Sequence, residues 1–487
     1  MYDLSVNKLH EIVGGRLRMA TLPPRHGDSA LVRSIVTDSR QVEPGAVFWG
    51  LTGSRFDGAT FAAEAFSRGA AGTVVGNYVQ PSPGCWSLQV DDTLRALPEL
   101  ARWNRSRMPG RVVAVTGSVG KTTTRQMIHA VLSAQLSGSA SPRNYNNHVG
   151  VPLSMLAIDP GVDFAVLELA ASATGEIRSL ARLAAPEIGV ITRLGDAHLG
   201  GFGSHEGVAR AKAELLAELP ASGWAVLPGD DPRARRLAEN CNARVLWVGR
   251  SLDNDVVATN VSSRGGTLRF EVDGQPMTIH AWGRHHLNSA LAAVAVGRIL
   301  GIEDDDIAAG LLQFEPPPMR CQIRRLGGAT IIDDTYNASP TGMTAALELL
   351  RDFDTNGRRI VFCGDMHELG TASDQLHERL GDEVVTVCGA DLLIACGRRS
   401  HLVVAGARAA GMPQAATIAK SRVEDLLDAP PIELRSGDVI LVKGSRALEM
   451  ERLIAAWISE SASGAALACD TTNCERETPA RRETIQV

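Results

Sequence analysis

A glycine-rich turn between an apolar strand and a helix constrains the fold of this chain more than any other feature. Arg111-Val-Val-Ala-Val has the composition of a buried strand, and Arg125–Leu136 has the pattern of a helix. The segment between them is Thr116-Gly-Ser-Val-Gly-Lys-Thr-Thr-Thr. Glycines let backbone N–H groups close around phosphate oxygens, and a helix N-terminus adds partial positive charge. The turn therefore predicts a phosphate-binding loop at the edge of a parallel α/β sheet.

Lys121 and Thr122 add the side chains that nucleotide chemistry needs. Lys121 supplies a mobile cation for the phosphates, and the Thr122 hydroxyl suits Mg²⁺. The spacing is TGxxGKTT rather than GxxxxGK[ST], because Val115 stands where the standard loop has its first glycine. A tight strand-to-helix turn would explain the glycines but not the lysine. We therefore predict that the following residues bind ATP: Gly117, Ser118, Val119, Gly120, Lys121, Thr122 and Thr123.

Length and proline positions indicate three domains. A chain of 487 residues is too long for one ordinary core. Short β-rich runs occupy the first part, strand–helix alternation begins at Arg111, and Glu315-Pro-Pro-Pro-Met suits a hinge before the alternation resumes. We predict α/β domains at 1–108, 109–316 and 317–464. The segment 465–487 is rich in Thr, Glu, Arg and Pro and is predicted to be a disordered tail.

Composition narrows the possible partners. Lys and Arg total 49 against 55 for Asp and Glu, so the net charge of −6 does not indicate nucleic acid or an anionic membrane. We find neither a signal-like leader nor an apolar run long enough for membrane insertion, and we expect a cytoplasmic monomer. The eight cysteines form no CxxC pair, which is typical of buried free thiols rather than a metal or disulfide framework.

Further blocks, in order and covering about residues 30 to 455, resemble the Mur ligase family. The blocks are Asn144-Tyr-Asn-Asn-His-Val-Gly-Val-Pro, Asp196-Ala-His-Leu-Gly-Gly-Phe-Gly-Ser, Ala209-Arg-Ala-Lys-Ala-Glu, Asp333-Asp-Thr-Tyr-Asn-Ala-Ser-Pro, Gly364-Asp-Met-His-Glu-Leu-Gly and Lys443-Gly-Ser-Arg. The resemblance implies a small α/β UDP-binding domain, a central P-loop parallel-sheet ATPase domain and a C-terminal Rossmann-like domain. The most similar branch adds D-alanyl-D-alanine to UDP-N-acetylmuramoyl-tripeptide through an acyl phosphate, with ATP and Mg²⁺, in peptidoglycan precursor synthesis.

The resemblance also assigns a metal site and a modified lysine. Glu168 ends an apolar strand, where a buried carboxylate is costly unless it is paired, although it could simply reach water. By resemblance Glu168 and His198 join Thr122 as metal ligands. Lys212 resembles a lysine that is carbamylated in the family, which converts a cation into a carboxylate-like group. Lys121, His198 and Lys212 are the residues expected to be catalytic.

The remaining nucleotide contacts are expected from positions beyond the loop. Asn288 resembles an asparagine near the ATP base. Arg320 follows the proline hinge, where related ligases place an arginine that reaches the phosphates when the domains close; without the resemblance it would be a surface arginine beside a linker. Asp334 and Tyr336 are expected to close over the nucleotide from the C-terminal domain.

Two further groups are expected to hold the substrates. The uridine diphosphate anchor comprises Ser39, Arg40, Phe56, Asp57 and Gly58, although an Asp-Ser pair after a strand is also ordinary turn chemistry. The expected peptide contacts are Asn146, Asn147, Asn337, Lys443, Ser445 and Arg446.

The sequence departs from the family pattern at two places, and other functions remain open. Ala170–Thr174 replaces a polar sequence after the strand glutamate, so Ser172 and Thr174 could contact the incoming peptide instead. Gly200-Gly201 stands where many members have an acidic residue. The alternatives are the ligase that adds the third amino acid, whose Asp-Asn-Pro-Arg block we do not find, folylpolyglutamate synthase, which lacks such a first domain, and a non-catalytic nucleotide-binding partner.

Overall fold

The computed structural model describes residues 4–20, 31–53, 56–142, 144–239 and 241–467, with side chains to residue 461. It confirms the predicted α/β fold class: three of its four sheets are wholly or largely parallel. Of the segment predicted to be a disordered tail, residues 465–467 are helical, and the remainder from 468 onward lies outside the described residues. None of the described helices combines the length and apolar character needed to cross a bilayer.

The N-terminal unit is built on a five-stranded sheet in the order β1-β5-β4-β3-β2, in which only β1 runs antiparallel to its neighbour. Its strands are β1 (Arg16–Met19), β2 (Ile35–Val36), β3 (Val47–Gly50), β4 (Gly72–Val75) and β5 (Trp86–Gln89). Its helices are α1 (Val6–Val13), α2 (Ala62–Ser67) and α3 (Thr93–Ser106).

The central unit is built on a parallel seven-stranded sheet in the order β12-β11-β10-β9-β6-β8-β7. Its strands are β6 (Arg111–Thr116), β7 (Gly138–Ala140), β8 (Phe164–Glu168), β9 (Ile188–Ile191), β10 (Trp224–Pro228), β11 (Arg244–Gly249) and β12 (Val256–Val257). Its helices are α4 (Lys121–Leu132), α5 (Gly150–Ala157), α6 (Glu176–Ala184), α7 (Leu199–Phe202), α8 (His205–Ala217), α9 (Pro232–Ala238), α10 (Leu287–Ile299) and α11 (Asp304–Leu312).

Two features of the central unit differ from the sequence-based expectation. Helix α4 begins at Lys121 and ends at Leu132, so it lies four residues earlier than the predicted Arg125–Leu136. An antiparallel sheet, which the sequence patterns did not predict, follows the parallel one and comprises β13 (Thr259–Arg264), β14 (Thr267–Val272) and β15 (Gln275–Ile279). Strand β14 buries alternate side chains in the core, whereas β13 has no buried residue, and both patterns are weaker signals than the continuous apolar runs of parallel strands.

The C-terminal unit is built on a six-stranded sheet in the order β16-β17-β21-β18-β19-β20, with β16 antiparallel. Its strands are β16 (Gln322–Leu326), β17 (Ala329–Asp333), β18 (Arg359–Gly364), β19 (Leu392–Cys396), β20 (Thr417–Lys420) and β21 (Val439–Lys443). Its helices are α12 (Pro340–Arg351), α13 (Ser373–Thr386), α14 (Ser400–Ala409), α15 (Glu424–Leu427) and α16 (Glu451–Leu467).

The N-terminal and central units share one hydrophobic core, whereas the C-terminal unit has hydrophobic clusters of its own. One cluster of buried side chains runs from Leu97 and Leu100 of α3 to Leu167 of the central sheet without interruption. The Asn104 side chain also donates a hydrogen bond of 2.8 Å to the backbone oxygen of Met155. The two faces of the C-terminal sheet have clusters of their own. The N-terminal and central units therefore form one packed body, against which the C-terminal unit docks.

We expect Phe362→Ala to lower the free energy of unfolding of the C-terminal unit by about 3–5 kcal/mol, because truncation leaves a cavity. The ring is fully buried between the sheet and α16, with its centroid 5.2 Å from that of Trp457. Chemical denaturation followed by circular dichroism measures the loss. The control Leu252→Ala, at a side chain that is 88% exposed, should change stability by less than about 0.5 kcal/mol. Equal losses in both variants would contradict this packing.

Candidate active site

The loop between β6 and α4 has the backbone shape that the sequence indicates. Gly117 has φ of 147° and Gly120 has φ of 89°, a region that favours glycine. A Cβ on Gly117 would lie 2.1 Å from the Thr192 hydroxyl oxygen, so only glycine fits beside β9. Gly120 is the N-cap of α4 and provides no side chain to bond the first N–H groups of the helix. Those donors therefore face the cleft, where an anion can accept from them.

Lys121 lies folded over this loop. Its Nζ donates to the backbone oxygen of Gly117 at 2.9 Å. Burial lowers the pKa of the Lys121 ammonium, while the nearby Glu168 carboxylate favours its charged form. The side chain can exchange a carbonyl partner for phosphate oxygens without leaving the loop.

Glu168, at the end of β8, is the carboxylate best suited to a metal. It is 2% exposed; its Oε1 accepts from the Asn146 amide at 2.8 Å. Its Oε2 is buried and has no hydrogen-bond partner among the described residues. An orphaned buried carboxylate oxygen fits a hard cation that takes oxygen ligands. No group of three His, Cys, Asp or Glu side chains in the described part of the chain forms a closed metal site.

The linker after the prolines brings the C-terminal unit to the loop. The Arg320 guanidinium donates to the Thr122 hydroxyl at 3.1 Å and lies 4.2 Å from the centre of the Tyr336 ring. Asp334, which follows β17, pairs with Lys443 Nζ at 2.5 Å, and the same Nζ donates to the backbone oxygen of Asn337 at 2.9 Å. The structure therefore brings the predicted nucleotide contact Arg320 against the loop, and it holds Lys443 in an ion pair.

His198 is the residue immediately before α7, and Lys212 lies on α8. Lys212 is 1% exposed, and its ammonium lies 5.1 Å from the centre of the Phe202 ring. Burial, reinforced by repulsion from Lys121, lowers the pKa of Lys212 to about 7. His198, in a left-handed backbone conformation with φ of 61°, places its Nδ1 against the Glu368 carboxylate of the C-terminal unit. Burial lowers the pKa of His198, and the Glu368 carboxylate opposes that shift.

A cleft of about 1310 Å³ between the central and C-terminal units collects most of the predicted residues. Burial lowers the pKa of His285 on its wall to about 4, so that ring is neutral at pH 7. Gly117, Asn147 and Lys212 are not on the wall; the Asn147 side-chain oxygen instead accepts from Gly150 N, at the start of α5, at 2.9 Å. The predicted residues on the wall are Ser118, Val119, Gly120, Lys121, Thr122, Thr123, Asn146, Glu168, His198, Asn288, Arg320, Asp334, Tyr336, Asn337, Lys443, Ser445 and Arg446.

The predicted uridine anchor lies apart, on the N-terminal unit. Asp57 accepts from Asn77 at 2.5 Å and from Ala59 N at 2.9 Å, which lowers the pKa of its carboxyl. Phe56 is 60% exposed, so its ring is open to a stacking partner. Gly58 is fixed by close approach, since a Cβ there would lie 2.4 Å from the carbonyl carbon of Gly50.

The other two anchor residues already have protein partners. The Ser39 hydroxyl donates to Glu64 at 2.7 Å, and Arg40 pairs with Asp38 at 2.7 Å. The contact with Arg40 lowers the pKa of Asp38 to about 2. This turn is therefore held in shape by its own hydrogen bonds.

The two departures from the family pattern meet each other in the structure. Backbone N–H groups of Ser172 and Ala173 donate to Glu176, which fixes the loop after β8. A Cβ on Gly201 would lie 2.0 Å from the backbone oxygen of Ser172. The small residue at 201 therefore lets the loop after β8 approach α7.

Sequence reasoning missed the residues that join the two sides of the cleft. Glu368 belongs to the Gly364-Asp-Met-His-Glu block but had no expected role, and it contacts His198. The Thr341 hydroxyl donates to Asp196 at 3.2 Å across the same interface. No local signal pairs these residues, because each pair is separated by more than a hundred positions.

Comparison with known proteins gives a consistent picture. The family described as Mur ligase middle domain matches residues 115–297, and the one described as Mur ligase, glutamate ligase domain matches 319–446. UDP-N-acetylmuramoyl-tripeptide--D-alanyl-D-alanine ligase of Bacillus subtilis (strain 168) is 35% identical over 93% of this chain and 98% of its own length.

Two crystal structures are similar over nearly the whole chain. MurF from Acinetobacter baumannii has a TM-score of 0.81 and 29% identity, covering 93% of this chain and 98% of its own. The MurF ligase of Thermotoga maritima in complex with ADP has a TM-score of 0.76 and 30% identity, covering 89% of this chain and 99% of its own.

Proposed function

The chain belongs to the Mur ligase family, and we propose that it joins D-alanyl-D-alanine to UDP-N-acetylmuramoyl-tripeptide in an ATP-driven reaction. One observation carries the proposal. The chain is similar over nearly its full length to a UDP-N-acetylmuramoyl-tripeptide--D-alanyl-D-alanine ligase, and its phosphate loop, Glu168, His198 and Arg320 line one cleft. Because ATP is a cytoplasmic substrate, we also propose that the protein acts in the cytoplasm, as a monomer whose site is built from one chain.

The three units divide the work, with boundaries proposed at 1–108, 109–316 and 317–464. The N-terminal unit holds the uridine diphosphate end of the first substrate; the exposed Phe56 ring is suited to stack on the base. The central unit holds ATP on the loop before α4. The C-terminal unit closes over the nucleotide with Arg320, Asp334 and Tyr336 and helps to hold the peptides.

The first step activates a carboxylate. The terminal carboxylate of the tripeptide attacks the γ-phosphorus of ATP, and ADP leaves with the electrons of the broken P–O bond. Lys121 and Arg320 supply positive charge next to the phosphates, where positioning and electrostatics account for most of the catalysis. Glu168 and Thr122, with His198, would hold Mg²⁺. When bound, Mg²⁺ offsets the charge of the triphosphate so that an anionic carboxylate can approach.

The second step forms the amide. The free amine of D-alanyl-D-alanine attacks the acyl carbon of the acyl phosphate, a tetrahedral intermediate forms, and inorganic phosphate leaves. Asn146, Asn337, Ser445 and Arg446 line the same cleft and are proposed to position the two peptides. Docking of the C-terminal unit excludes water, which would otherwise hydrolyse the activated acyl group.

Lys212 is proposed to act as a carbamate. A lysine adds CO₂ only through its neutral amine, and the lowered pKa of about 7 makes that form abundant at neutral pH. The resulting anion would neutralise part of the positive charge of Lys121, and a carboxylate-like group at this position is suited to lie near the metal.

The substrate assignment predicts that phosphate release requires UDP-N-acetylmuramoyl-tripeptide, ATP and D-alanyl-D-alanine together. A coupled phosphate assay measures the rate with each acceptor. Release with a single amino acid or with glutamate, but not with the dipeptide, would instead indicate the ligase that adds the third amino acid or folylpolyglutamate synthase. No release with any acceptor would indicate a non-catalytic nucleotide-binding protein. Lys121→Ala is the control and should abolish release.

The carbamate predicts that native mass spectrometry in bicarbonate buffer finds the protein heavier by one CO₂, and that acidification removes it. Lys212→Ala should lack the added mass and lose ligase activity, whereas Lys420→Ala should keep both. Activity of the parent protein should rise with pH through about 7, because the amine loses its proton there. Added mass that persists in Lys212→Ala would contradict the assignment.

A further inference from the structure

The loop that carries His198 meets a turn of the C-terminal unit in a close, polar contact. The Glu368 carboxylate lies against His198 Nδ1, but the two groups are not aligned as an N–H hydrogen bond. The backbone N–H of Gly200 donates to the backbone oxygen of Glu368 at 2.8 Å. Backbone and side chain of Glu368 therefore both reach across the boundary between the units.

Both residues of this contact have unusual backbone conformations. His198 has φ of 61° and Glu368 has φ of 64°. These values lie in the left-handed region, which residues other than glycine rarely adopt. Met319 and Cys321, in the linker between the same units, have φ of 60° and 52°. Such conformations persist when surrounding contacts hold them, and they concentrate at functional sites.

Gly200 lets the two backbones approach. A Cβ on Gly200 would lie 2.8 Å from Gly370 N, closer than real Cβ atoms come to backbone, and 3.2 Å from Glu368 O, which is tighter than most such contacts. Gly200 itself lies in helix α7 with an ordinary φ, so alanine fits its conformation. Only the docked C-terminal unit requires glycine at this position.

We propose that Glu368 is a positioning residue that the C-terminal unit delivers to His198 when it docks. Rotation of the imidazole within this contact lets the carboxylate accept the Nδ1 proton, which fixes one tautomer of the ring and leaves Nε2 as the nitrogen with a free lone pair. This inference rests on the proposed role of His198 as a metal ligand. Carboxylates that hold the second nitrogen of a ligating histidine in this way change metal affinity or activity by about 10- to 100-fold.

Docking and metal–nucleotide binding are then coupled. If the docked unit improves the histidine as a ligand, the metal–nucleotide complex must favour docking by the same factor, since linkage is reciprocal. The coupling restricts efficient phosphoryl transfer to the closed cleft, where water is excluded.

The first test compares Glu368→Ala, Glu368→Gln and the control Glu378→Ala, an exposed glutamate on α13 of the same unit. Binding of Mn²⁺ in the presence of ADP is measured by electron paramagnetic resonance, together with kcat and KM for ATP. We expect Glu368→Ala to weaken Mn²⁺ binding and lower kcat by about tenfold or more. Glu368→Gln should recover most of the loss, since its amide oxygen accepts the same proton. Equal Mn²⁺ binding in Glu368→Ala and Glu378→Ala would overturn the proposal.

The second test leaves both ionisable groups in place. Gly200→Ala should weaken Mn²⁺ binding as Glu368→Ala does, and small-angle scattering with ADP and Mn²⁺ should show a larger radius of gyration than the parent protein. The control is Gly161→Ala, where the added Cβ would lie 3.4 Å from Asp159 and meet no clash. A Gly200→Ala protein that closes and binds Mn²⁺ like Gly161→Ala would overturn the proposal.

The Mn²⁺-binding and scattering measurements need no acyl acceptor. A failure of the D-alanyl-D-alanine assignment would therefore leave the Mn²⁺ comparison intact, and the two ideas can fail separately.

Discussion

The site depends on a contrast between two interfaces. The N-terminal and central units share one apolar core, in which α3 packs against the central sheet. The central and C-terminal units meet mainly through hydrogen bonds and ion pairs, with one stacked pair, Trp282 and Phe353, whose ring centroids are 4.3 Å apart. Apolar cores resist separation, whereas polar contacts exchange for water at little net cost. Motion should therefore concentrate at the second interface.

That polar interface also contains the residues of the proposed active site. The phosphate loop and Glu168 belong to the packed body, while Arg320, Asp334 and Glu368 come from the other side. Two of the C-terminal contributions reach central residues that have proposed roles: Arg320 contacts Thr122, and Glu368 contacts His198. A ligase that makes a water-sensitive acyl phosphate benefits from this division, because its site is complete only when the cleft is closed.

Local patterns predicted some parts of this site, and others depend on the folded chain. The phosphate loop is contiguous, so strand, glycines, lysine and helix could be recognised together; only the helix bounds were wrong, by four residues at each end. The proposed roles of Glu168, His198 and Lys212 came from resemblance, because an isolated carboxylate, imidazole or amine carries no local signal. The burial that lowers the pKa of Lys212 to about 7 exists only in the folded chain. Glu368 and His198 are brought together by docking of the C-terminal unit, and the local sequence around neither residue indicates that the two are in contact. The antiparallel sheet β13–β15 was missed because its first strand has no buried residue and therefore shows no run of apolar side chains.

Activation of the peptide carboxylate as an acyl phosphate is the central claim, and heavy-oxygen transfer tests it most directly. UDP-N-acetylmuramoyl-tripeptide labelled with heavy oxygen in its terminal carboxylate is converted with ATP and D-alanyl-D-alanine, and the released phosphate is analysed by mass spectrometry. We expect each phosphate to carry one labelled oxygen from the carboxylate. Unlabelled phosphate, formed together with the amide product, would contradict the acyl-phosphate route.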